Sequence, residues 1–190
     1  MIYGKRIRLR APEREDLPLF VEWLNDPEVR QGLGHFLPMS NAREERWFED
    51  MLKRPPETHP LTIEVMEGNS WVTIGNLGLF DIHPRAHSAE VGIMIGNKNY
   101  WDKGYGTEAM ELVLQHGFET LNLHRIMLHV YAFNPRAIRS YVKGGFVEEG
   151  RMRQSVYAEC TYHDTLLMSI LREEWDGRKL NKELGTEHAK

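Results

Sequence analysis

The feature that most constrains this chain is the order in which its apolar periods change. Between 61 and 95 three runs keep a period of two: 61–66 with Leu61, Ile63 and Val65 in phase, 71–80, and 88–95 with Ala89, Val91, Ile93 and Ile95 in phase. Glu-Gly-Asn-Ser at 67–70 joins the first two as a hairpin. After Gly104 the period becomes helical, with Met110, Val113, Leu114, Gly117, Phe118 and Leu121 on one face of a helix over 107–121. Ile126, Leu128, Val130 and Ala132 return to period two. Asn134-Pro135 then opens a short helix whose stripe is Ala137, Ile138, Tyr141 and Val142, and Gly144-Gly145 ends it. Upstream lie a strand at 6–10, a helix at 16–25 stopped by Asn25-Asp26-Pro27, an apolar loop at 31–38, and a helix at 40–52 with Trp47, Phe48, Met51 and Leu52 on its apolar side. Two last strands fall near 147–150 and 162–171. Antiparallel hairpins first and one β-α-β crossover late predict an α+β fold, a mixed and mostly antiparallel sheet flanked by helices.

A chain of 190 residues fits one core. We expect a single domain over 1–175 and a mobile polar tail over 176–190, where only Leu180, Leu184 and Ala189 are apolar. Twenty-four basic against 28 acidic residues, with no long basic run, disfavour a nucleic-acid partner. The lone Cys160 excludes an internal disulfide or a CxxC site, and the nine histidines lack metal-ligand spacing, so no metal is expected. No apolar run is long enough for a membrane span or a leader, and the expected location is cytoplasmic.

Lys-Gly-Tyr-Gly-Thr-Glu-Ala at 103–109 sets two glycines at a helix start, where unpaired amides and the helix dipole favour phosphate oxygens. Gly104-x-Gly106-x-x-Ala109 also fits the dinucleotide fingerprint, but the following strand closes Tyr-Ala-Phe-Asn without the required acid. The Walker pattern fails for want of Gly-Lys-Ser/Thr. Alone, the loop reads equally as a glycine-rich turn.

Three further segments accompany it in order: a strand ending Val-Gly-Ile-Met-Ile at 91–95, Phe-Glu-Thr-Leu-Asn-Leu-His-Arg-Ile at 118–126, and Asn-Pro-Arg-Ala-Ile-Arg-Ser-Tyr-Val-Lys-Gly-Gly-Phe at 134–146. Together with Tyr-Trp-Asp-Lys-Gly-Tyr-Gly-Thr-Glu-Ala at 100–109, the chain resembles the GCN5-related N-acetyltransferase (GNAT) superfamily over about 6–172. The branch most resembled holds the ribosomal-protein N-terminal acetyltransferases and the spermidine acetyltransferases. Trp101 replaces the Gln or Arg that opens this loop in many members, and Gly144 replaces a larger residue.

The resemblance implies acetyl-CoA as co-substrate, held in a cleft where two strands splay. Its pyrophosphate would lie on the amides of Lys103, Gly104, Tyr105, Gly106 and Thr107, and its pantetheine would pair along Met94 and Ile95 like an added strand. Lys103 reads either as a phosphate charge or as a solvated lysine. Asn134 reads as a pantetheine ligand, an N-cap, or both.

Acetyl transfer to an amine needs a neutral amine and a proton for the departing thiolate. Tyr141, two helical turns after Asn134, is the candidate acid, and its family counterpart lies beside the thioester sulfur; the competing role is packing. Glu90, out of phase with Val91 and Ile93 and near the sheet centre, reads equally as the base or as an ion-pair partner of Arg85. His83 and His87 are alternatives acting through water. An acetyl-enzyme on Cys160 is not expected, since the residue lies in a turn-like segment outside these motifs. The expected activity is direct transfer to a primary amine: a protein N-terminus, a polyamine or another small amine. The alternatives are a non-catalytic acyl-CoA sensor and a nucleotide-binding regulatory domain. The acceptor is expected against the loop 25–40 and the second helix, with 83–87 and 151–162 opposite. Glu44, Glu45, Glu49 and Asp50 could attract a polyamine, but their helical spacing reads better as a solvated acidic face. A homodimer is the self-association considered.

Overall fold

The computed structural model describes residues 1–178. Eight strands form one sheet: β1 (Ile2–Tyr3), β2 (Ile7–Arg10), β3 (Leu61–Glu67), β4 (Ser70–His83), β5 (Ser88–Ile95), β6 (Arg125–Tyr131), β7 (Val147–Ala158) and β8 (Thr161–Leu171). Their spatial order is β1-β2-β3-β4-β5-β6-β8-β7, which puts β5 near the middle. Every pairing is antiparallel except β5 with β6. The predicted α+β fold is the one observed.

The parallel pair is short. Ser88, Ala89 and Glu90 pair with Arg125, Ile126 and Met127, after which β5 runs on to Ile95 and β6 to Tyr131 without pairing. The backbone groups of β5 beyond Glu90 that face β6 are therefore open to a ligand.

Side-chain alternation assigns the two faces. Ala89, Val91, Ile126, Leu128 and Val130 are buried with Ala109, Met110, Val113 and Leu114 of α4 (Tyr105–Gln115). Met94, out of phase with these, packs with Phe20 and Trp23 of α1 (Leu17–Asn25) and with Phe48 and Met51 of α3 (Asn41–Leu52). Glu90 shares the phase of Met94, and His129 lies out of phase with Leu128 and Val130, so both belong to the α1/α3 face.

Caps define the helices. Asp26 does more than stop α1: its carboxylate accepts from the amide of Glu28 at 2.9 Å and starts α2 (Pro27–Gln31), inside the stretch 25–40 expected to be loop. Ser40 caps α3 through the Arg43 amide, and Asn134 caps α5 (Pro135–Gly144) through the Ala137 amide at 3.1 Å.

Several expectations need correction. Leu52 and Val142 are each 56% exposed, so neither belongs to its helix's buried stripe. The helix expected over 107–121 starts at Tyr105 and continues past Gln115 as a π-helical turn, His116–Thr120. The strand expected at 147–150 extends to Ala158, and β1 was missed. Residues 172–178 are helical; within them Trp175 stacks on Phe118 with ring centroids 5.9 Å apart, and Arg178 donates to the Lys143 carbonyl at 2.7 Å. The rest of the expected tail, 179–190, lies outside the described residues.

Candidate active site

The β5/β6 opening carries two adjoining cavities. One, of about 480 Å³, runs from Ile93 to Ile95 along β5 to the start of α4 and along α5. The other, of about 580 Å³, lies on the α1/α3 face beneath the loop that follows α2. Six residues line both: Gly32, Leu33, Ile93, Met94, His129 and Tyr141. The junction is where groups from two ligands can meet, and its ionisable side chains are His129 and Tyr141.

At the first cavity Gly104 has φ of 82°, a left-handed turn that a Cβ would strain. The Glu108 amide bonds back to Gly104 at 3.0 Å, so the amides of Tyr105, Gly106 and Thr107 precede the first helical bond and face outward at the positive end of the dipole. Arg6 holds this turn in place: its guanidinium donates to the Lys103 carbonyl at 3.0 Å and to the Glu108 carboxylate at 2.8 Å. Gly104, Tyr105, Gly106 and Thr107 line the cavity, as do Met94, Ile95 and Asn134. Lys103 does not; its ammonium lies 5.8 Å from the centre of the Tyr100 ring, beside the cavity instead of in it. The Ile95 carbonyl already accepts from the Trp101 indole at 2.7 Å, leaving less of the strand end for a ligand than expected. Trp101 in turn lies under the Arg136 guanidinium, 3.5 Å from its ring centre.

Three cations of α5 were missed. Arg136, Arg139 and Lys143 line the same cavity at spacings of three and four, the face-sharing intervals of a helix. The cavity thus joins cations and free amides at one end to an open strand edge at the other, which fits a ligand with a polyanionic head and an extended amide arm.

Tyr141 sits on α5 with its ring 5.9 Å from that of Phe146. Burial pushes its phenol up to about 12, so it keeps its proton at neutral pH. Glu90 lines the second cavity and meets Nδ1 of His129 at 2.9 Å, so its partner is His129 and not Arg85. His83 and His87 line neither cavity: Nδ1 of His83 accepts from the Ala86 amide, and the His87 carbonyl accepts from the amides of His124 and Arg125.

The second cavity is walled by the loop and by α3 through His35, Arg43, Glu44 and Trp47, whereas 83–87 and 151–162 do not reach it. The loop is held close. Gly34 has φ of 69°, and a Cβ there would collide with the Tyr131 hydroxyl. Glu45 pairs with Arg14 and Asp50 with Lys53 on the surface, but Glu44 is only 5% exposed and has no ion pair among the described residues. Burial raises its carboxyl above the usual range against a smaller opposing pull from Arg43. The solvated acidic face expected on α3 therefore loses one member to the cavity.

Among the described residues no helix is long and apolar enough to cross a membrane, and no three His, Cys, Asp or Glu side chains gather as a metal site. Residues 6–147 match the family model of the acetyltransferase (GNAT) domain. The chain is 30% identical to a spermidine N(1)-acetyltransferase of Vibrio cholerae over 92% of its own length and 98% of the relative's. It is similar to a crystal structure of spermidine N-acetyltransferase from Vibrio cholerae in complex with CoA and spermine, with a TM-score of 0.83, 27% identity and coverage of 90% and 99% of the two chains. A dodecameric structure of spermidine N-acetyltransferase from the same organism has a TM-score of 0.78, 28% identity and coverage of 92% and 99%. The chain belongs to the GNAT acetyltransferase family and is an acetyl-CoA-dependent N-acetyltransferase.

Proposed function

We propose that the chain transfers acetyl directly from acetyl-CoA to a primary amine of a small cationic acceptor, with polyamines the first class to test. The observation that carries this reading is Glu44, a buried carboxylate that has no ion pair among the described residues and lines the second cavity. Such a group is costly to keep charged without a cation beside it, and an ammonium of the acceptor would meet that need. Arg43 and Arg54 line the same cavity and set a limit on how many cations it accepts. The similarity to a spermidine acetyltransferase supports the same class.

On the donor side, the amides of Tyr105, Gly106 and Thr107 at the Gly104 turn receive the pyrophosphate, with Arg136, Arg139 and Lys143 as counter-charges. The pantetheine lies against the open edge of β5 at Met94 and Ile95, next to Asn134. Tyr141 gives its proton to the thiolate as the C–S bond breaks. Glu90 is the carboxylate on the acceptor side that favours removal of a proton from the incoming ammonium.

We assign this activity to a domain spanning 1–175, working in the cytoplasm, where the exposed Cys160 stays reduced. A homodimer is the smallest assembly proposed; the dodecamer recorded for a related enzyme supports self-association, and light scattering would give the number of subunits.

The test is release of CoA thiol from acetyl-CoA with a panel of spermidine, spermine, an amino sugar and peptides with free N-termini. Amine-dependent release, fastest with a polyamine, is expected. Binding of acetyl-CoA with no release for any amine would make the chain a sensor, and faster release with a neutral peptide than with either polyamine would overturn the cationic acceptor.

A further inference from the structure

We infer that His129, not Glu90, takes the proton from the acceptor amine, and that Glu90 acts through it as a positioning residue. The inference rests on the acetyltransferase reading above and names the atom that performs one of its steps.

Glu90 and His129 stand on β5 and β6 just where the two strands part, on the same face of the sheet. Nδ1 of His129 is 2.9 Å from Oε1 of Glu90. An ionised carboxylate can only accept, so Nδ1 carries the hydrogen, and in the neutral imidazole that a base requires Nε2 keeps the lone pair. Nε2 has no hydrogen-bond partner among the described residues. The two side chains also differ in reach. Glu90 lines only the acceptor cavity, whereas His129 lines both cavities and shares their junction with Tyr141. A base must reach the nitrogen that attacks the thioester, directly or through one water, and that nitrogen has to sit at the junction. Of the pair, His129 is the residue that lines it. His35, Arg43, Glu44, Arg54 and Tyr131 are the other charged or titratable groups on the acceptor cavity.

The ammonium gives one proton to Nε2, forming an imidazolium whose charge is met by Glu90. The neutral nitrogen attacks the thioester carbonyl, the C–N bond forms, and the C–S bond breaks as the thiolate takes the Tyr141 proton. The remaining excess proton on the new amide nitrogen passes to the phenolate and restores Tyr141. His129 returns its proton to solvent, so one proton is released for each amide and each CoA thiol made.

The experiment is a double-mutant cycle of His129→Ala and Glu90→Gln in the full chain, with the best amine from the panel and acetyl-CoA affinity measured for each variant. His129→Ala should lower kcat/KM for an alkylamine about 10²- to 10³-fold, with donor affinity within about threefold. Glu90→Gln should cost about tenfold or more in the parent and less than about threefold in the His129→Ala background, because its effect runs through the imidazole. The His129→Ala deficit should also shrink at least tenfold with a weakly basic amine that is already neutral at assay pH, a change that loss of packing would not produce. A His129→Ala variant within about threefold of the parent, or a Glu90→Gln effect that persists undiminished without His129, would overturn the inference and leave the acetyltransferase reading standing. A parent that acetylates no amine overturns both.

Discussion

Thr107 Oγ1 and Ser140 Oγ lie 2.8 Å apart, so one hydroxyl–hydroxyl bond ties the first turn of α4 to the middle of α5 where both line the first cavity. The bond fixes the spacing between the amides proposed to bind phosphate and the cations of α5. A single hydrogen bond is worth about 0.5–1.5 kcal/mol, so Thr107→Val and Ser140→Ala should each weaken acetyl-CoA binding about two- to tenfold. Calorimetry on the double variant should show little further loss, and two fully additive losses would mean that the hydroxyls act independently.

Gly106 offers a cleaner test of the phosphate loop than Gly104. At Gly104 any side chain meets the left-handed backbone, so loss of binding is mixed with strain. A Cβ at Gly106 would find Ile95 Cγ1 at 3.6 Å, ordinary contact, so Gly106→Val is expected to fold. Its branched side chain should stand between the amides and the phosphates and lower acetyl-CoA affinity at least tenfold. Unchanged affinity in the folded variant would remove the loop from the binding site.

The helix end at Gly144 gives a prediction on stability. Gly144 is the last helical residue, Gly145 takes the left-handed cap with φ of 96°, and a Cβ on Gly144 would meet Phe146 no closer than 3.7 Å. Gly144→Ala should therefore stabilise the fold by about 0.5–1 kcal/mol through the lower entropy of the unfolded chain. Gly145→Ala should destabilise it. Denaturant midpoints at equal slope would decide both.

Acid should loosen the edge formed by β7 and β8. The hydrogen bond from Arg125 holds the Glu149 carboxyl down at about 2, against an ordinary value of 4.5. Because the folded value is depressed, the stabilisation is complete above about pH 4.5 and is lost as pH falls toward 2. Glu149 is partly exposed, so the effect is modest and screened by salt. Glu149→Gln should flatten the decline in thermal midpoint across that window, and an unchanged profile would mean that the pair does not couple to folding.

What the sequence made legible follows from which residues face two environments. β5 and β6 alternate between a buried face and a cavity face, so their period of two is clear, and Glu90 could be placed by phase alone. The same count leaves His129 between Leu128 and Val130 on the cavity face, a signal present in the sequence but inconspicuous without its partner 39 positions away. β7 was cut short because it is the outermost strand and mostly exposed, with register shifts at Glu148/Gly150 and Met152/Val156 that break any alternation. α2 has five residues and one buried side chain, Val29, too few to show a helical stripe. Glu44 looked like its acidic neighbours because chain position alone does not tell which turn of α3 faces the cavity.

The central claim is that the junction of the two cavities is a site of acetyl transfer with Tyr141 as its acid, and Tyr141→Phe measures it most directly. Phenylalanine keeps the ring and its contact with Phe146 and removes only the hydroxyl, on which burial keeps the proton. Turnover of the best amine acceptor should fall about 10²- to 10⁴-fold, nearer the lower figure because a thiolate tolerates departure without a proton, while acetyl-CoA affinity and thermal stability change little. A folded phenylalanine variant that binds acetyl-CoA normally and turns over within about threefold of the parent would contradict the account.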